Sequence, residues 1–158
     1  IGATNLMRVA GYRLGAAGFA CDFLKGLLPT LLAGWWLGEP AAIATGLAAM
    51  AGHTFPIWLK GAGGKGVATG GGVFFALAPF STFYALLVFL MIGPVATRTV
   101  SAGSVAAALI LPFLCWRTAS LPVTLIAAAA GLFVIYRHRG NIERLYDGSE
   151  SRLWKGLE

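Results

Sequence analysis

The run Gly66–Arg98, GVATGGGVFFALAPFSTFYALLVFLMIGPVATR, decides how this chain is folded, and it carries no charge before Arg98. As one helix it would be roughly 50 Å long, against a hydrocarbon core of about 30 Å. Pro79 lacks an N–H and clashes with the turn before it, so a break there gives two segments, Val67–Ala78 and Phe80–Thr97. Read this way, the chain has about six spans or half-spans, the others being Leu14–Leu37, Ala41–Ala51, Ser101–Trp116 and Leu121–Tyr136. Several are shorter than a full crossing needs. The expected class is all-α, a polytopic integral membrane helical bundle.

Charge supports the break. With six spans, Arg8, Arg13, Lys60, Lys65, Arg98, Arg137, Arg139, Arg144, Arg152 and Lys155 fall on one side, against Arg117 on the other. The excess of Lys and Arg on cytoplasmic segments makes that side cytoplasmic. A single helix over Gly66–Arg98 would instead place Arg137, Arg139 and Arg144 opposite Lys65.

Composition agrees. Of 158 residues, 58% are hydrophobic and 11% charged, with a mean hydropathy of +0.77. Soluble domains carry about 25% charged residues, so this inventory cannot make a water-facing surface; the expected partner is the lipid bilayer. The net charge of +6 is clustered between apolar runs and at the ends. Without a continuous basic stripe, no nucleic acid partner is expected. Cys21 and Cys115 stand alone in apolar runs and read as buried small side chains. Histidines, cysteines and carboxylates are too sparse for a metal site, and no cofactor is expected. Asp22 and Lys25, three residues apart within the first span, share a helix face and can pair. Trp35 and Trp36 suit an interfacial anchor before the Gly38-Glu39-Pro40 turn.

Four polar clusters fall on the basic side. In AGHTFPIWLKGAGGKGVAT (Ala51–Thr69), Gly61, Gly63, Gly64 and Gly66 surround Lys65. Glycines reach φ > 0 and can aim consecutive N–H groups at one anion, and Lys65 adds a compact positive charge. A flexible connection is the bland alternative. The G-x-G-x-x-G match follows no strand, and Gly66 stands where a Walker A loop needs Ser or Thr. Near the N-terminus, Thr4 and Asn5 can cap a helix, with Arg8 one turn in, able to grip phosphate in a fork. Ser101 and Ser104, beside Arg98, can cap the next helix or bind an oxyanion. In the tail, Arg137-His138-Arg139-Gly140-Asn141-Ile142-Glu143-Arg144-Leu145 precedes Gly148 and Glu150. A basic flank after a last span explains the arginines, but not His138 and Asn141 among them. No hydroxyl lies in a G-x-S-x-G elbow, and His138 with Glu143 only approximates an acyltransferase His-x4-Asp dyad. What remains is a cationic, glycine-lined site at the bilayer surface, suited to positioning and stabilising phosphate-bearing substrates.

Gly2-Ala3-Thr4-Asn5 with Arg8, the block GHTFP…GGKGVAT (Gly52 to Thr69), and HRGNIERL with Gly148 and Glu150 resemble the motifs of the bacterial acyl-phosphate:glycerol-3-phosphate acyltransferases, the PlsY family. Asp22 with Lys25-Gly26, and Ser101 with Gly103-Ser104, look like further family positions. The resemblance implies an inner-membrane enzyme with seven spans in the intact fold and a cytoplasm-facing site. It would transfer an acyl group from acyl phosphate to the 1-hydroxyl of glycerol 3-phosphate, giving lysophosphatidic acid and phosphate. The family's first motif starts earlier, after an initial span. Residues 1–158 are therefore expected to form one membrane-embedded acyltransferase domain lacking its N-terminal span, and to act as a monomer. Expected catalytic residues are Lys65, Asn141, Arg8 and His138. Expected substrate-binding residues are Thr4, Asn5, His53, Gly63, Gly64, Gly66, Ser101, Ser104, Arg139, Arg144 and Glu150. Lys65 and the loop N–H groups would hold the acyl phosphate; Arg8 and Asn141 would orient glycerol 3-phosphate. The proton would pass to His138 or to a substrate phosphate. Two rivals use the same residues: a small anion or phosphate transporter, and an acyltransferase with a thioester donor.

Overall fold

The structure of the protein, a computed structural model, describes residues 2–153. Every regular element among them is helical: α1 (Ala3–Ala10), α2 (Tyr12–Leu37), α3 (Glu39–Thr54), a 3-10 turn (Ile57–Leu59), α4 (Val67–Leu77), α5 (Pro79–Leu90) running into a π-turn (Met91–Thr97), α6 (Val100–Thr118), α7 (Leu121–Arg137) and α8 (Arg139–Tyr146). The six expected apolar segments match α2 to α7, with ends displaced by three residues at most when the π-turn is counted with α5. Segments Tyr12–Leu37, Glu39–Leu59, Pro79–Thr97 and Val100–Thr118 are long and apolar enough to cross a membrane. α7 and α8, bent by 59° at His138, make a fifth if the pair counts as one span. Helix α4, with 11 residues, is too short for a crossing.

The chain divides into two compact units, one up to Pro79 and one from Phe80 on. In the first, Gly11 (φ +86°) separates α1 from α2, and Gly38 (φ +85°) separates α2 from α3. The polar N-terminal stretch thus forms a helix of its own, laid on α2 where Gly15 and Gly18 meet Met7 and Leu6. Small residues then bring α2, α3 and α4 into backbone contact: a Cβ on Gly26 would overlap the Thr69 carbonyl, one on Gly46 would meet Val73, and one on Gly72 would overlap the Phe23 carbonyl. Between apolar helices in lipid, packing of this kind replaces the hydrophobic driving force. Val73 and Phe74 are the most buried large side chains there. Cys21, expected in a core, faces outward from α2, whereas Cys115 is buried.

In the second unit, α6 packs against α7 where Gly131 meets the Ala108 carbonyl, and against the π-turn where Gly93 and Gly103 touch. Pro94 lies inside that turn. The Thr97 hydroxyl donates to the Ile92 and Gly93 carbonyls at 2.9 and 3.1 Å, and the Thr99 N–H to the Gly93 carbonyl at 3.1 Å. These bonds occupy carbonyls that a broken helix would leave bare. Arg98 closes the turn at φ +57°, and its carbonyl accepts the Leu153 N–H at 2.7 Å, tying down the tail.

The α2–α4 contact can be tested with two neighbouring glycines. Gly72→Ala should cost on the order of 1–3 kcal/mol, because backbone and not a flexible side chain lies in the way. Gly71→Ala, whose Cβ would meet the Phe23 ring at an ordinary 3.7 Å, should leave the thermal midpoint in detergent almost unchanged. Equal midpoints for the two variants would rule out close packing at Gly72.

Candidate active site

In the first unit the polar residues gather where α3 ends and the glycine loop begins. Lys25 donates to Asp22 Oδ1 at 2.5 Å and lies 2.7 Å from His53 Nδ1, which is itself 3.4 Å from Asp22 Oδ1. The expected Asp22–Lys25 pair is therefore present, with His53 from α3 as its third member. The loop then folds back on this group. The Gly63 N–H donates to the Thr54 carbonyl at 3.2 Å, and the Gly64 N–H to the His53 carbonyl at 3.3 Å. A Cβ on Gly63 would overlap those carbonyls and Pro56, and a Cβ on Gly64 would overlap the His53 ring.

This corrects the expected nest. Gly63 and Gly64 spend their N–H groups on the end of α3, and they are glycines because the loop passes too close to His53 for any side chain. Positive φ falls at Lys60 (+50°), Gly61 (+80°) and Gly66 (+82°). Gly66 caps α4, so half-buried Lys65 stands immediately before a helix N-terminus, whose partial positive charge favours anions. Thr4 and Asn5 do not cap a helix; Gly2 holds that position and both lie inside α1, half-buried and exposed respectively. The side chain of Arg8 lies outside the described part of the structure, as does Lys155.

The second unit is organised by Glu150. Its Oε1 accepts from Asn141 Nδ2 at 2.7 Å and Ser101 Oγ at 2.8 Å, and its Oε2 accepts from Arg144 Nε at 2.8 Å. The Ser149 and Glu150 N–H groups bond the Arg144 carbonyl, which fixes the turn that delivers the carboxylate. Burial pushes this carboxyl up, but the three hydrogen bonds and the guanidinium charge outweigh that and hold it below the ordinary carboxylate range. Glu150 thus binds protein groups and sets Asn141, Arg144 and Ser101 in one place; sequence reasoning, which put it among substrate contacts, had no sign of this. Ser101 and Ser104 do not cap α6, since Thr99 is its N-cap and Ser104 Oγ donates to the Val100 carbonyl at 2.9 Å.

His138 forms the bend between α7 and α8. It is 3% exposed, and its Nδ1 lies 2.8 Å from the Val134 carbonyl, which can only accept, so the hydrogen is on Nδ1. Its own carbonyl receives the Asn141 and Ile142 N–H groups at 2.8 and 2.9 Å. Arg139 is not drawn into the Glu150 group; it is exposed, with its guanidinium 4.7 Å over the Tyr136 ring. A cavity of about 350 Å³ opens beside the group, lined by Arg98, Thr99, Arg144, Glu150 and Arg152 among others. Its guanidinium groups suit a small phosphorylated ligand.

The profile of the family described as "Glycerol-3-phosphate acyltransferase" matches residues 1–148. The chain is 46% identical over 155 residues to a glycerol-3-phosphate acyltransferase of Trichlorobacter lovleyi, covering 96% of this chain and 79% of that one. It is 44% identical over 156 residues to another from Syntrophotalea carbinolica, with the same coverage. Among solved structures it is similar to PlsY, an integral membrane glycerol 3-phosphate acyltransferase, in its glycerol 3-phosphate form. That match has a TM-score of 0.91 and 38% identity, over 97% of this chain and 78% of that one. The lysophosphatidic acid form matches with a TM-score of 0.90. Matched by that family over residues 1–148 and by relatives over 96% of its length, the chain belongs to the glycerol-3-phosphate acyltransferase family.

Proposed function

We propose that this multi-pass membrane protein transfers a fatty acyl group from acyl phosphate to the 1-hydroxyl of glycerol 3-phosphate, releasing phosphate and lysophosphatidic acid. The observation that carries this reading is the likeness, over nearly the whole chain, to PlsY with glycerol 3-phosphate bound. The apolar helices supply what a donor with a fatty tail requires, since the tail stays in lipid while its phosphate meets the polar loop. The basic residues of the glycine loop, Lys60 and Lys65, support a site on the cytoplasmic face of a bacterial inner membrane.

Lys65, at the head of α4, holds the acyl-phosphate oxygens. Its ammonium and the first turn of the helix stabilise the negative charge that grows as phosphate leaves. Asn141 and Arg144, set by Glu150, orient glycerol 3-phosphate, with Arg8 as a further phosphate grip. The 1-hydroxyl oxygen attacks the acyl carbon, the carbon–oxygen bond to phosphate breaks, and the hydroxyl proton is taken up. His138 is buried, which favours the departing phosphate as acceptor, and its Nδ1–H bond to Val134 lets it hold the bend that carries Asn141.

Labelled glycerol 3-phosphate offered with palmitoyl phosphate, palmitoyl-CoA or palmitoyl carrier protein tests the donor. Lysophosphatidic acid should form from palmitoyl phosphate alone; product only from a thioester would overturn the donor assignment, and phosphate flux without product would favour a transporter. Lys65→Ala should abolish transfer while the protein still inserts and folds, and near-normal turnover would remove Lys65 from the site.

Glu150 has a lowered pKa in the folded protein, so its stabilising bonds are intact above the unfolded value of about 4.3 and are lost as pH falls through the folded value. Hydrogen exchange at Ser149 and Glu150 should therefore show protection that holds at neutral pH and collapses only below about pH 4. In Glu150→Gln those amides should exchange roughly tenfold faster already at neutral pH, because charge-assisted bonds are the stronger kind. Unchanged protection in that variant would show that the carboxylate does not organise the tail.

A further inference from the structure

His53 lies in the last turn of α3 with its side chain 8% exposed. At its Nδ1, Lys25 and Asp22 make opposite demands. Lys25 Nζ, at 2.7 Å, can only donate and needs a lone pair there; Asp22 Oδ1, at 3.4 Å, can only accept and needs a hydrogen. Lys25 is the nearer. Its contact with Asp22 uses one of three ammonium hydrogens and leaves others for Nδ1. An imidazole with its lone pair on Nδ1 carries its hydrogen on Nε2. That edge lies against the glycine loop, where a Cβ on Gly64 would overlap Nε2 and where the His53 carbonyl holds the Gly64 N–H.

We propose that Lys25 is a positioning residue that holds His53 as the Nε2–H tautomer, so that this N–H serves at the glycine loop as a donor to a phosphoryl oxygen of the acyl donor. Asp22 keeps Lys25 in place, in the way that a partner behind a functional histidine commonly sets its tautomer. The donor role rests on the acyl-phosphate reading above; the tautomer does not.

The chain has two histidines, which makes the tautomer measurable. Full-length protein in nanodiscs, labelled with ring-15N histidine, should show one ring protonated on Nε2 and one on Nδ1. His138, bonded to the Val134 carbonyl, is the Nδ1–H reference and is assigned with His138→Gln. Lys25→Met should move the His53 hydrogen to Nδ1, because Asp22 is then the group facing it, whereas Asp22→Asn should leave it on Nε2. In the same Lys25→Met protein the KM for palmitoyl phosphate should rise about tenfold, the effect of losing one hydrogen bond to a charged group, with the KM for glycerol 3-phosphate changed less than about twofold. Nδ1–H at His53 in the parent protein, or a tautomer indifferent to Lys25→Met, overturns the assignment. A tautomer that moves while the KM for palmitoyl phosphate stays fixed overturns the donor role. If the parent protein does not use palmitoyl phosphate yet His53 carries its hydrogen on Nε2, the acyl-phosphate reading and the donor role fall and the positioning by Lys25 stands.

Discussion

Where a helix ends or bends, peptide groups lose their partners within the helix, and other groups of the protein must take them up wherever water does not. Three breaks in this chain show how. At the end of α3 the Thr54 and His53 carbonyls receive the N–H groups of Gly63 and Gly64. Within the π-turn, Thr97 and Thr99 satisfy the Gly93 carbonyl. At the α7–α8 bend, the His138 carbonyl takes the Asn141 and Ile142 N–H groups while its ring returns a hydrogen to Val134. At two of them residues of the proposed site lie beside those that close the backbone.

The two polar groups are built on different physics. Around Glu150 a single carboxylate gathers two neutral donors and a guanidinium, and its depressed pKa measures how well the charge is solvated by protein in place of water. Around His53 the charge is balanced between Asp22 and Lys25, and the histidine responds to which of them is closer. One group fixes side chains; the other fixes where a hydrogen sits. Both use chemistry that needs few residues, which suits a chain that is 11% charged.

Local pattern was enough for the helices. The break at Pro79, the turn at Gly38 and the six apolar segments are legible because helix length and the missing proline N–H act within a few residues. Trp35 and Trp36 are exposed at the end of α2. Helix caps were less legible. Thr4, Asn5, Ser101 and Ser104 are all residues that can cap, but Gly2 and Thr99 occupy the cap positions, and a displacement of two residues, as at Thr4 and Ser101, is enough to turn a cap into a helix interior.

By itself, then, the sequence determined an all-helical membrane protein, the placement of its apolar helices, and a set of motifs similar to one acyltransferase family. Only the tertiary structure decided what several of those motif residues do. Gly63 and Gly64 are small because the His53 carbonyl and ring lie against them, and Lys25 meets His53 across 28 residues. Ser101 meets Glu150 across 49 residues. Periodicity and turn chemistry are local, whereas which donor reaches which acceptor depends on how the packed helices bring distant residues to within about 3 Å, the range in which a hydrogen bond forms.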